Sequence, residues 1–73
     1  MDQDLIPVNR PIDINDELFE TVFKRLRDIT VNYGQTVGGI ILQGKFLGVT
    51  VQDDNGVQNQ ELIEKLKELL QSI

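Results

Sequence analysis

Residues Thr36–Gln52 constrain the fold of this chain more than any other segment. Two runs rich in Val, Ile, Leu, Phe and Thr flank the centre Gln43-Gly44-Lys45, and Lys45 is the only charged residue in the segment. Such runs, broken by turn residues, read as the two strands of a β-hairpin. A two-residue type II′ turn at Gly44-Lys45, with glycine in the first position that this turn requires, sets the register. It places Gln43 opposite Phe46, Leu42 opposite Leu47, Ile41 opposite Gly48, Ile40 opposite Val49, Gly39 opposite Thr50 and Gly38 opposite Val51. Side chains alternate along a strand, so one sheet face carries Ile40, Leu42, Leu47, Val49 and Val51 with Gly38. The other carries Val37, Ile41 and Phe46 among Gln43, Thr50 and Gln52. A slip of one residue would exchange the two faces.

A helix is expected on either side of this hairpin. Upstream, Asn15 is a candidate N-cap, Asp16 and Glu17 place negative charge in the first turn, and Ile14 and Phe19 stand at the positions of a hydrophobic staple. Leu18, Phe19, Val22, Phe23, Leu26, Ile29 and Tyr33 recur at helical spacing and make one face. Ile29, Val31 and Tyr33 also alternate as in a strand. The helix reading is favoured as far as about Tyr33, with Gly34 as the left-handed residue after it. Downstream, Asp53-Asp54-Asn55-Gly56 form a turn, with Asn55 or Asn59 as cap. Leu62, Ile63, Leu66, Leu69, Leu70 and Ile73 then form the apolar stripe of a second helix. Before the first helix, Pro7 and Pro11 hold the backbone extended and suit an edge rather than a central strand. Residues 1–14 are therefore an extended N-terminal arm or edge strand, and residues 15–73 a single small α+β domain of βαββα-like order.

Size makes a partner subunit attractive. A chain of 73 residues buries only about 60% of its unfolded surface, and small domains gain stability from disulfides, metals or oligomerisation. This chain has no Cys and no His, which removes the disulfide and the commonest metal ligands. Completion of the sheet as a two-fold dimer is the expectation, because a lone hairpin is marginal and two-fold dimers are the commonest assembly. The N-terminus lacks the basic and long apolar regions of a secretory signal, and no apolar run is long enough to span a bilayer. The expected location is cytoplasmic. A net charge of −5 disfavours nucleic acid, whose phosphates would be repelled on average.

Chemistry is restricted in the same way. Without Cys or His, and with Ser72 the only serine, no Ser/His/Asp or Cys/His arrangement can form within one chain. Asp53-Asp54-Asn55-Gly56 suggests a calcium loop, but the register puts Val51 and Leu62 where acidic ligands are required. No catalytic residue, metal or cofactor is assigned, and the chain is read as a non-enzyme. The glycines at 38 and 39, in strand interiors, can mark close approach of a ligand or another backbone, and Arg25 and Arg27 with Lys45 supply positive charge. Gly38, Gly39, Arg25, Arg27 and Lys45 are the candidate ligand-binding residues. If both helices cover the face of Ile40, Leu42, Leu47 and Val49, then Val37, Ile41 and Phe46, with Val8 and Ile12 of the arm as one cover, are the candidate interface, since contiguous exposed apolar surface marks an interaction site; if one helix lies on each face, the same residues are ordinary core. Three functions follow. The leading one is a non-catalytic acidic protein-interaction module, an adaptor, inhibitor or regulator, acting as a homo-oligomer on another protein. The second is an oligomer that sequesters a small anionic ligand such as a nucleotide at a subunit interface, and the third is an enzyme with a shared interfacial site.

Overall fold

A computed structural model describes residues 5–73, and residues 1–4 of the expected arm lie outside the described part. The elements are β1 (Ile6–Asp13), α1 (Glu17–Val31), β2 (Thr36–Leu42), β3 (Lys45–Gln52) and α2 (Gln60–Gln71). The chain is a small α+β domain in the order that the sequence predicts: strand, helix, two strands, helix. Among the described residues the strands form one antiparallel sheet in the order β1-β3-β2, so β1 and β2 are its edges and β3 is central.

The hairpin turns one residue earlier than the type II′ reading requires. Leu42 pairs with Lys45, and the two loop residues are Gln43 (φ 52°) and Gly44 (φ 76°). Positive φ at both positions makes this a type I′ turn, whose twist matches that of the flanking strands. A bulge follows: Ile41 pairs with Phe46 but Ile40 pairs with Gly48, which leaves Leu47 as an extra residue. Its physical role is parity. Phe46 lies an odd number of residues from Val49 and Val51, and one extra residue between them turns all three side chains to the same face. Beyond the bulge Val37 pairs with Val51, Gly38 with Thr50 and Gly39 with Val49. The predicted faces are therefore exchanged on β2, and Ile40 and Leu42 no longer share a side with Val49 and Val51.

Both helices cover one face of the sheet. Ile6, Val8 and Ile12 of β1 and Phe46, Val49 and Val51 of β3 are buried, and they form a single core with Val22 and Leu26 of α1 and Leu62, Ile63, Leu66 and Leu70 of α2. Each fully buried side chain of this kind contributes about 1.5–3 kcal/mol, so the helix-covered face supplies most of the stability. Phe19 and Phe23 extend the core towards β2, with ring centroids 5.1 Å and 6.0 Å from Phe46. Gly39 lies beneath them. A Cβ there would sit 3.1 Å from Phe23 Cε1 and 3.5 Å from Phe46 Cε1, so the aromatic rings occupy the space of its missing side chain.

The helix ends carry the chemistry that their positions require. Asp16, one residue after the predicted cap Asn15, is the N-cap of α1, and its Oδ1 accepts from Leu18 N at 2.9 Å. At the other end Gly34 (φ 67°) reverses the chain, with Gln35 N donating to Thr30 O and Gly34 N to Val31 O, the paired bonds of a Schellman motif. The Asp53 carboxylate accepts from Asn55 N and Val57 N at 2.8 and 2.9 Å and closes the turn before α2. Asn59 caps that helix by accepting from Leu62 N at 3.0 Å.

Candidate interaction surface

Packing both helices on one side leaves the opposite face of the sheet uncovered by any helix among the described residues. Ile40 is 39% exposed and Leu42 63% exposed on β2, while Leu47 on β3 is half-buried and stands outside the core cluster. Gly48 lies between Ile40 on one side and Pro7 on the other. A Cβ at Gly48 would run into the Ile6 carbonyl oxygen, lie 2.9 Å from Pro7 Cα and meet Leu5 Cδ1 at 3.0 Å. Glycine here lets β1 close onto β3 and lets Leu5, itself 46% exposed, reach over the bare face. Leu5, Ile40 and Leu42, with the half-buried Leu47, gather apolar surface on this face, while Leu18, Val31 and Val57 are apolar side chains exposed elsewhere.

The outer edge of β2 adjoins this patch. Its seven residues, TVGGIIL, include neither charge nor proline, the two devices by which exposed edges are usually blunted. Beside the edge, on the helical side, a cleft of about 330 Å³ is lined by Phe19, Glu20, Phe23, Lys24 and Arg27. A second cleft, about 220 Å³, continues it past Arg27, Thr30 and Val31 to Thr36 and Val37. Arg27 stands over the Phe23 ring with its guanidinium carbon 5.9 Å from the centroid.

The residues singled out from sequence fall in several places. Phe46 is fully buried, and Val8 and Ile12 are buried with it inside the single chain, so these three do not form a free interface. Val37 is half-buried against the same core, whereas Ile41 remains 48% exposed at the rim of β2. On the helix-free face stand the exposed Ile40 and Leu42 and the half-buried Leu47, which the type II′ register puts on the same side as Val49 and Val51. The signal that marks them is the odd spacing between Phe46 and the Val49/Val51 pair. Gly38 and Gly39 lie on β2, Arg27 on the cleft beside it, Arg25 in a groove between the helices, and Lys45 at the hairpin end, 3.4 Å from the Asp13 carboxylate. These five do not converge on one pocket.

A groove between α1 and α2, about 810 Å³, has a lining that includes Arg25, Tyr33, Lys65 and Glu68 with the helix caps Asn32 and Ser72. Lys65 Nζ sits 5.7 Å from the centroid of Tyr33. Neither helix has a basic residue in its own last turn. Arg25 and Lys65 share the groove with Glu68 and are exposed to water, which weakens their pull on an added anion. Elsewhere every Asp, Glu, Lys and Arg of the described residues is exposed except Asp53, which is half-buried and hydrogen-bonded within its turn. The Asp13 carboxyl is held below its ordinary value by the hydrogen bond from Asn15 N and then by the Lys45 ammonium. No group of His, Cys, Asp and Glu among the described residues is arranged to hold a metal ion. No helix of the described residues is long and apolar enough to cross a membrane. No family model, curated protein or solved structure matches this chain.

Proposed function

We propose that this chain is a non-catalytic protein-interaction module that acts as a homo-oligomer and presents the helix-free face of its sheet to another protein. The observation that carries the reading is the patch of Leu5, Ile40, Leu42 and Leu47 on that face, since apolar side chains gathered on one surface mark association sites. The placement of the charged side chains supports the non-catalytic part. Acid–base catalysis at neutral pH relies on groups whose environment shifts their titration within a cleft, and the charged groups here stand in water. As an adaptor, inhibitor or regulator, such a module works by occupying a surface rather than by turning over a substrate.

The test is a photoreactive residue at position 42 compared with one at position 64 on the outer face of α2, introduced into the full chain in the presence of native extract. The expected result is one dominant, saturable adduct at position 42 that Leu47→Asp abolishes and position 64 does not yield. Equal labelling from both positions, or labelling at 42 that is indifferent to Leu47→Asp, would remove the bare face as the docking surface.

A further inference from the structure

We infer that the free edge of β2 is where a second copy of this chain adds, joining two three-stranded sheets into one continuous six-stranded sheet about a two-fold axis at Gly39. The inference rests on the interaction-module reading and names the surface that makes the oligomer. Strand addition satisfies the row of backbone donors and acceptors that an edge leaves unpaired; every second residue of β2 turns these groups outward, and none of its seven side chains carries a charge to repel its symmetry mate.

Register follows from which side each residue faces. A two-fold axis perpendicular to the sheet keeps the helices of both copies on the same side, so only residues of like face can stand opposite one another. With Gly39 on the axis, Ile41 meets Val37 of the second copy, Ile40 meets Gly38 of the second copy, and Leu42 meets Thr36 of the second copy. Each of the exposed residues Ile40, Ile41 and Leu42 thus gains a small or apolar neighbour, and Gly38 leaves room beside Ile40.

The cleft of the flanking helix carries one acid and two bases, Glu20, Lys24 and Arg27, and the two-fold pairs the acid with Arg27. Phe23 of α1 packs at Gly39, and Arg27 lines the cleft beside Thr36 and Val37. Glu20, one turn before Phe23 in the adjoining cleft, therefore lies towards the Ile41 end. A two-fold at Gly39 exchanges these ends, so Glu20 of each copy faces Arg27 of the other, twice over. The bare faces of the two sheets also merge, which places Ile40 and Leu42 of both copies at the centre of the apolar patch.

The experiment measures the molar mass of the full chain by light scattering and sedimentation over a dilution series. The expected species at high concentration has twice the 8.3 kDa chain mass. Glu20→Arg and Arg27→Glu should each raise the dimer dissociation constant by about ten- to thirtyfold, the effect of turning two exposed pairs into repulsions. The double variant E20R/R27E should return to within about threefold of the original, because the reversed pairs meet again across the axis. Seven residues apart, the two side chains stand about 10 Å from one another along their own helix, so rescue within one chain does not explain that result. Ile41→Lys should give a folded monomer, checked by circular dichroism; if it unfolds, the charge-reversal set decides alone. A dimer insensitive to Ile41→Lys and to both reversals, yet lost in Leu47→Asp, would overturn the β2 edge and leave the interaction-module reading standing. A strict monomer at every concentration would overturn the edge and the homo-oligomer together.

Discussion

Gly48→Ala is the substitution whose cost the structure defines best. An alanine Cβ would be driven into the Ile6 carbonyl oxygen and to 2.9 Å from Pro7 Cα, and both are backbone atoms of β1 that cannot rotate away. β1 must then lift from β3, drawing Ile6 and Val8 out of the core. Overpacking of a tight site costs about 1–3 kcal/mol, and partial loss of one or two buried aliphatic side chains, each worth about 1.5–3 kcal/mol, brings the expected loss to about 2–4 kcal/mol. For a domain of this size, with total stability of about 4–11 kcal/mol, that is a large fraction, and the midpoint of thermal unfolding should fall by about 10–25 °C. Gly38→Ala is the control: its Cβ would meet only Thr50 Oγ1, at 3.6 Å, an ordinary contact. Urea unfolding followed by far-UV circular dichroism measures both. If Gly48→Ala unfolds within about 0.5 kcal/mol of the unsubstituted chain, β1 does not pack on β3 as described and the account of the bare face falls with it.

Three further outcomes follow from other parts of the molecule. Gln43 occupies the left-handed region at φ 52°, where a non-glycine residue is disfavoured by about 1–2 kcal/mol unless it is Asn or Asp, so Gln43→Asn should stabilise the chain by roughly 0.5–1 kcal/mol in the same urea assay. The Asp13 carboxyl is depressed below 3.8 by the Asn15 amide and then by Lys45; a depressed carboxyl stabilises the fold above its unfolded value. That contribution should be lost as pH falls below 3.8 through the folded value, and Asp13→Asn should flatten this part of the stability profile while leaving Lys45 without its partner. Nucleotides and inorganic phosphate at millimolar concentration should shift the thermal midpoint by less than about 1 °C, because the cations of the interhelical groove are exposed to water and share it with Glu68. A shift of several degrees that Arg25→Ala abolishes would instead establish an anion site there.

Much of the architecture is legible in the residues because it rests on local chemistry. The stripes Val22, Leu26 and Leu62, Leu66, Leu70 announce amphipathic helices at the spacing that the core uses, and Gly34 stops α1 for the reason that a left-handed residue favours glycine. Register is where local reasoning fails. Gly44 fits the first place of a type II′ turn and the second place of a type I′ turn equally well, and glutamine at the other loop position gives no warning of positive φ. The decision is made by tertiary packing, because Phe46, Val49 and Val51 can share the core only if Leu47 is bulged out. One residue of slip then moved Ile40 and Leu42 from predicted core to observed surface. Helix coverage of one face rather than both is also a tertiary outcome, since α1 and α2 pack on the same core of Ile6, Val8, Phe46, Val49 and Val51.

Hydrogen exchange of the β2 amides, followed residue by residue at high and low protein concentration, tests most directly whether this edge is a working surface. In a strand paired only to β3, amides that point inward exchange slowly and those that point to the free edge exchange as solvent-exposed groups. With a second copy added, the outward amides of Thr36–Leu42 should be slowed at high concentration and released on dilution, while the inward ones stay unchanged. Outward amides that exchange fast at every concentration would contradict the account.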